Sequence, residues 1–341
     1  MRLRKLRVWA STLGGFARSR LVRRVLRDYE LGLMSYGDVE KVLLEASSAV
    51  IGVQVASGLA YVNDGMLDWH DIFRPFVESW RNVTPTGLLR FFDNNFFYRI
   101  PRFTGLPEPS RLVWAPRVRK FAPIAEPSGF KVVLPGPVTF ALMSSNESGY
   151  SLEELSEAIA KLLAGEARAA VEAGASMVQI DEPTLADPEA SRDSAVLAAE
   201  LSSRIASASG PAKTLLALYF DVPRADVYEE LLNSKVQCLS LDLIDAPERA
   251  LKLLASKGFG GHCAVLGLVN SRAVHDDPID RLSSIAEEAL KDYGGEEAGL
   301  TTSTWLDLIP YDYSVRKARI LGLLAEKLAY SRAWELVWRA G

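Results

Sequence analysis

Ser176-Met-Val-Gln-Ile-Asp-Glu-Pro-Thr184 carries the first decision about this chain, because an apolar strand-forming run ends there in two carboxylates and a proline. Proline cannot donate to a sheet ladder, so Pro183 stops the strand and leaves Asp181 and Glu182 at its carboxyl end. Four other apolar runs end the same way, in Val62-Asn63-Asp64, Leu218-Tyr219-Phe220-Asp221, Leu239-Ser240-Leu241-Asp242 and Leu268-Val269-Asn270-Ser271-Arg272. Polar groups repeated at strand ends are expected at one rim of one parallel sheet.

Working outward, β-rich runs fall at about 7–12, 59–62, 131–134, 176–181, 213–219, 236–242, 262–269 and 298–302. Each is followed by an amphipathic or alanine-rich segment. Helices are expected over 36–57, 151–173, 188–208, 246–257, 278–292 and 314–337, with Ser151 and Glu154 forming a capping box. Eight strands alternating with helices predict a single (β/α)8 barrel over 1–341, with a doubly wound open sheet as the competing topology. Residues 81–130, rich in Pro, Arg and aromatics, lengthen the connection after the second strand far beyond its usual few residues. That excursion is expected at the C-terminal face, as a lid or a partner-facing arm.

The chain has 341 residues, 48% of them hydrophobic, enough to bury a large core, and no long linker divides it. A net charge of −4 spread along the sequence points to no polyanionic partner. The basic start (Arg2, Arg4, Lys5, Arg7, Arg18, Arg20, Arg23, Arg24, Arg27) lacks interleaved aromatics, so nucleic acid is not expected. Trp9 to Ala17 is too polar for a signal peptide, and no apolar run approaches the ~20 residues of a membrane span. Two cysteines, Cys238 and Cys263, make no disulfide framework. A cytoplasmic location is expected.

In a barrel the residues just after each strand face one mouth, which makes neighbours of Asn63, Asp64, Asp181, Glu182, Tyr219, Asp221, Asp242, Asn270 and Arg272. Asp181, Glu182 and Asp242 are the candidates for chemistry, and Asn63, Asp64, Tyr219, Asn270 and Arg272 for substrate contact. Asp and Asn also cap helices, and each of these residues is open to that reading. Excess negative charge at the mouth suits an amine, a cation or a neutral heterocycle better than a phosphate. The turn from Ser11 to Arg18, with Gly14 and Gly15 between strand and helix, offers exposed N–H groups to an anion or is a plain tight turn. Leu134-Pro-Gly-Pro-Val-Thr139 reads as a rigid strand-to-helix turn that brings Thr139 within reach of the mouth.

Lys131, Lys213 and Lys235 precede or open their strands and are expected on the opposite face, which argues against a Schiff-base lysine inside the barrel. His70, His262 and His275 show no metal-ligand spacing with the cysteines, and Cys238 reads as a buried apolar residue. No metal site is expected.

Taken together, Phe91-Phe-Asp-Asn-Asn-Phe-Phe-Tyr-Arg-Ile-Pro101, Leu134–Thr139, Val178-Gln-Ile-Asp-Glu-Pro183, Leu239-Ser-Leu-Asp-Leu243 and Leu266-Gly-Leu-Val-Asn-Ser-Arg272 resemble the cobalamin-independent methionine synthase family. Its chains hold two (β/α)8 barrels, and the likeness is closest to the N-terminal one, whose Trp-Phe-Asp-Thr-Asn-Tyr-His-Tyr run answers to Phe91–Tyr98. The resemblance adds Asp93, Asn95, Tyr98, Ser11 and Trp305 to the candidate substrate contacts. In that family the C-terminal barrel holds zinc through a His-x-Cys pair, a Glu and a distant Cys, and methyl transfer runs from 5-methyltetrahydrofolate to homocysteine. Here the corresponding stretches read Ala217-Leu-Tyr-Phe-Asp221 and Thr301-Thr-Ser-Thr-Trp305, and Met66 replaces an acid after Asp64-Gly65.

A thiol of pKa ~8.5 is a weak nucleophile at neutral pH until a metal deprotonates it. The resemblance therefore implies a non-zinc barrel that works on folate-type and amino-acid small molecules with a separate zinc-bearing catalytic barrel. Arg90, Arg99 and Arg102 would then face a polyglutamate tail or plain solvent. An independent methyltransferase or decarboxylase of the uroporphyrinogen decarboxylase-like superfamily, and a purely structural subunit, are the competing readings.

Overall fold

The computed structural model describes residues 6–94, 96–330 and 334–336. Along the chain, β1 (Leu6–Leu13) is followed by α1 (Arg20–Glu30) and α2 (Tyr36–Ala56), and then by β2 (Tyr61–Val62) and α3 (Arg74–Val77). An antiparallel hairpin, β3 (Trp80–Arg90) and β4 (Phe97–Pro109), leads to α4 (Trp114–Ala125) and β5 (Gly129–Pro135). Next come α5 (Pro137–Leu142), β6 (Ser145–Asn146), α6 (Leu152–Glu172), β7 (Met177–Asp181), α7 (Arg192–Ala208), β8 (Lys213–Ala217) and α8 (Ala225–Leu231). The chain continues through β9 (Cys238–Asp242), α9 (Pro247–Lys257), β10 (Cys263–Val269), α10 (Ile279–Ala289), β11 (Glu297–Trp305), α11 (Tyr311–Tyr330) and β12 (Trp334–Leu336).

Eight strands are parallel and nearly closed, in the order β1-β11-β10-β9-β8-β7-β5-β2. The seam between β2 and β1 is bridged by the Ala60 N–H, which donates to the Ala10 carbonyl at 2.9 Å. This is the (β/α)8 barrel that the strand–helix alternation predicts. The strands read as continuous apolar runs because both faces are covered, by barrel filling inside and helices outside. The predicted capping box is present, with the Glu154 N–H donating to Ser151 Oγ (3.1 Å) and the Ser151 N–H to Glu154 Oε2 (2.8 Å).

Three expectations need correction. The helix expected over 314–337 starts at Tyr311 and ends at Tyr330, and Trp334–Leu336 instead pair in parallel with Leu6–Val8. The two-residue β2 leaves that edge of β1 open, and an unpaired edge accepts a further strand. Residues 81–130 are not one irregular arm either, since α4 is a helix of the barrel layer and Gly129 and Phe130 already belong to β5.

What leaves the barrel is the hairpin, whose buried Val83, Tyr98 and Phe103 pack with Phe73 and Phe140. Lys131, expected on the opposite face, lies fully buried within β5. The barrel's stagger carries it inward, so its ammonium donates to the Thr12 carbonyl and to Gln179 Oε1 (2.8 Å). Lys213 stays at the amino-terminal end beside Glu297, and Lys235 is exposed. Among the described residues no helix is long and apolar enough to cross a membrane.

Candidate active site

Asp181 ends β7 with no solvent exposure. Oδ1 accepts from Gln179 Nε2 at 2.7 Å, while Oδ2 accepts from the Tyr219 hydroxyl at 3.0 Å and the Trp305 indole at 2.9 Å. Burial pushes its carboxyl up to about 6, and the three donors oppose that rise. The Trp305 ring fits only because Gly14 and Gly15 lie beneath it; a Cβ on Gly14 would come within 2.0 Å of the indole. Those two glycines thus serve ring packing.

Glu182, the next residue, turns outward to the start of α5. Its carboxylate accepts from the N–H groups of Val138 (3.0 Å) and Thr139 (2.7 Å), and the Thr139 hydroxyl bonds that of Thr184 at 2.7 Å. Burial holds its carboxyl at about 7. Gly136 leaves room for it, since a Cβ there would lie 2.0 Å from the Glu182 carboxyl carbon.

Asp242 closes β9. Oδ1 accepts from the N–H groups of Ile244 (2.7 Å) and Asp245 (3.3 Å), and Oδ2 is buried without a partner among the described residues. Burial, reinforced by the nearby Asp245, raises its carboxyl to about 7. Ser240 Oγ, two residues earlier on the same strand, and Thr304 Oγ1 beside the mouth are likewise buried without partners.

Other candidates are spent on structure. Asn63 donates to the Gly14 carbonyl (2.8 Å) and accepts from the Gly65 N–H (2.9 Å). Asp64 accepts from the Met66 N–H and from Arg117 Nε at 2.7 Å. The Ser11 hydroxyl donates to the Thr12 carbonyl, and the Tyr98 hydroxyl to that of Met143. Asn270 accepts from the Arg272 N–H. Arg272 bridges Asp245 (2.7 Å) and the Asp93 carbonyl (2.7 Å), while the Asp93 side chain stands fully exposed. Asn95 lies outside the described residues.

The mouth is therefore not the open acidic cup that the strand ends suggest. Asp181 and Glu182 are matched to nearby donors, and Asp242 is matched at one of its two oxygens. Aromatics from the hairpin and from the loop after β8 fill the centre. Phe91 and Phe92 lie 5.9 and 5.0 Å from the Phe220 ring, and the Arg272 guanidinium sits 5.7 Å above it. Phe92 and Phe220 hold φ values of 55° and 77°, costly for aromatic residues. The cavity left between Phe91, Phe96, Phe220, Trp305 and Asp307 is about 10 Å³, roughly room for one water. Beside it a cleft of about 380 Å³ opens between Phe92, Asp93, Pro183, Asp187, Asp221 and Arg272.

Gln179 and the aromatic cover escaped sequence reasoning. Gln179 had a signal: two residues before Asp181 on one strand, it shares the same face. The stretches that the resemblance sets against the zinc ligands carry Tyr219 on one strand and Thr301–Trp305 on another, and Cys238 and Cys263 pair in register at the opposite end of β9 and β10. His262 bonds the carbonyls of Val236 and Leu232. Among the described residues no three or more His, Cys, Asp or Glu side chains converge to hold a metal ion.

Fold and site define a (β/α)8 barrel with buried, separately hydrogen-bonded carboxylates at its strand ends under a hairpin-covered mouth. A family model described as cobalamin-independent synthase, N-terminal domain, matches residues 73–293, and the chain belongs to that family. The 5-methyltetrahydropteroyltriglutamate–homocysteine methyltransferase of Nitratidesulfovibrio vulgaris is 31% identical over 279 residues, covering 73% of this chain and 34% of the relative. The enzyme of that name from Saccharomyces cerevisiae is 29% identical over 69% of this chain and 31% of its own length. The chain thus spans about a third of these relatives. A B12-independent methionine synthase from a Shewanella species shares the fold, with TM-score 0.77, 17% identity, and coverage of 94% of this chain and 97% of that one.

Proposed function

We propose that this chain takes part in methyl transfer from 5-methyltetrahydrofolate or a related pterin to homocysteine, as the non-zinc barrel of a pair whose other barrel carries the zinc. The observation behind this reading is the donor set at the mouth of a chain matched by an N-terminal-domain model. Asp242, with one oxygen unpartnered, can hydrogen-bond a small molecule, while Asp181 is held by a phenol and an indole, and none of these groups offers a thiolate or imidazole to a metal. Asp181 and Asp242 would orient the substrate, and the aromatic cover would exclude water. Arg272 and the cleft beside Phe92 would receive the part of the donor that projects outward.

The test is metal analysis and a methyl-transfer assay on the purified chain, alone and with a zinc-bearing barrel from the same cell. The expected outcome is zinc in the partner only, with turnover only in the mixture. Turnover by the lone chain would establish an independent methyltransferase instead. Unchanged turnover of the mixture with Asp181→Ala and Asp242→Ala would reduce this barrel to a scaffold.

A further inference from the structure

Inside the barrel a chain of polar side chains climbs from the middle of β5 to the mouth. Lys131 Nζ, fully buried, donates to the Thr12 carbonyl and to Gln179 Oε1 at 2.8 Å. Gln179, also fully buried, turns its Nε2 to Asp181 Oδ1 at 2.7 Å. An amide has one acceptor end and one donor end, so a donor at Lys131 leaves only the donor end for Asp181. Asp181 then accepts all three of its bonds, including those from Tyr219 and Trp305, which is the pattern of an ionised carboxylate.

If the proton moved from Lys131 to Asp181, the neutral amine would keep two N–H groups for Thr12 and Gln179, but the new Asp181 O–H would face three donors and find an acceptor only if the amide turned over or the Tyr219 hydroxyl rotated. Such a reversed amide would still leave Lys131 bound to Thr12, but Asp181 would become a donor to its own strand. The bridge couples two groups that share no direct hydrogen bond.

We propose that Lys131 is a positioning residue which, through Gln179, keeps Asp181 ionised and thereby holds the Tyr219 hydroxyl and the Trp305 indole in place at the mouth. Burial lowers the Lys131 amine to about 7 and raises Asp181 to about 6, so at neutral pH each is close to giving up its charge, and the directed amide favours the charged pair. Two other titratable groups face the cluster. Glu182 points away to the start of α5, whereas Asp307, raised to about 6 by burial, bears on Tyr219 from beyond the mouth. Asp307 therefore has to be controlled for.

The experiment follows the Trp305 indole N–H resonance in protein labelled with 15N-tryptophan, assigned by its loss in Trp305→Phe and titrated from neutral to acidic pH. An Asp307→Asn background removes the competing carboxyl. The expected result is an upward shift of the midpoint by at least about one pH unit in both Lys131→Met and Gln179→Met, roughly tenfold in proton affinity. Lys131→Arg, which keeps a buried donor cation, should bring the midpoint most of the way back. Gln179→Met carries the test alone should Lys131→Met fail to fold. A midpoint unmoved in the folded variants, or a shift in Lys131→Arg equal to that in Lys131→Met, would overturn the proposal. The readout needs neither ligand nor partner barrel, so it stands apart from the methyl-transfer reading.

Discussion

Asp242 keeps one oxygen on the Ile244 and Asp245 N–H groups and leaves the other buried and unpaired. Its carboxyl rises from 3.8 to about 7, so in the folded chain it retains a proton that the unfolded chain loses near pH 4. The sign follows from linkage: the stability contributed by this group is fully present below the unfolded value and is lost as pH rises through the folded one. Asp242→Asn, which cannot ionise, should therefore be more stable than the parent at pH 8 and equal to it near pH 4. The expected gain is about 1–3 kcal/mol, the cost of an unsatisfied buried group, measured by urea unfolding across that range. A constant difference at both pH values would mean that Asp242 does not titrate between folded and unfolded chains. Asp181 and Asp242 were legible as candidates because a carboxylate at the end of an apolar strand is visible in a single line of residues. Phe220 and the inward-lying Lys131 were not, because their roles depend on partners that the line does not show, and Gln179 was legible only as sharing a strand face with Asp181.

At the scale of elements, α5 is a short helix whose first N–H groups are met by a carboxylate from the next β/α unit. Helix starts leave such donors unsatisfied, and a buried anion is a strong partner for them. The contact requires Gly136, because any Cβ would occupy the space of the Glu182 side chain. Gly136→Ala should cost about 1–3 kcal/mol in denaturant unfolding, the usual range for overpacking. A neutral result would show that Glu182 can leave α5 without penalty. Helices and strands were largely legible, since periodicity and caps such as Ser151 with Glu154 are local properties. The exception is the end of the chain, where the apolar pattern through 314–337 reads as one helix. Residues 334–336 join β1 because that strand has an open edge, a fact about the sheet alone.

Over the whole molecule, α11 links the last β/α unit to the first. Gly322 lies against the Ser57 carbonyl at the end of α2, where a Cβ would approach to 1.7 Å. Lys317 is buried and donates to Asp277 (2.6 Å) and to the His275 carbonyl (2.7 Å), tying the helix to the loop before α10. Removing one partner of a buried pair strands the other charge, so Lys317→Met should destabilise by about 3–5 kcal/mol. Arg204→Ala, which breaks only exposed pairs, with Glu200 and Glu157, should fall within about 1 kcal/mol of the parent in the same thermal melts. Equal effects would show that α11 is not held by this pair. The alternation of eight apolar runs with helices, and the carboxylates at their ends, were determined by the sequence alone, because spacing sets both which elements form and where each one stops. Only the tertiary structure decided which carboxylates are neutralised, which lysine lies inside, and that aromatics cover the mouth. Trp305 meets Asp181 across 124 residues, and such a contact exists only once the barrel has closed.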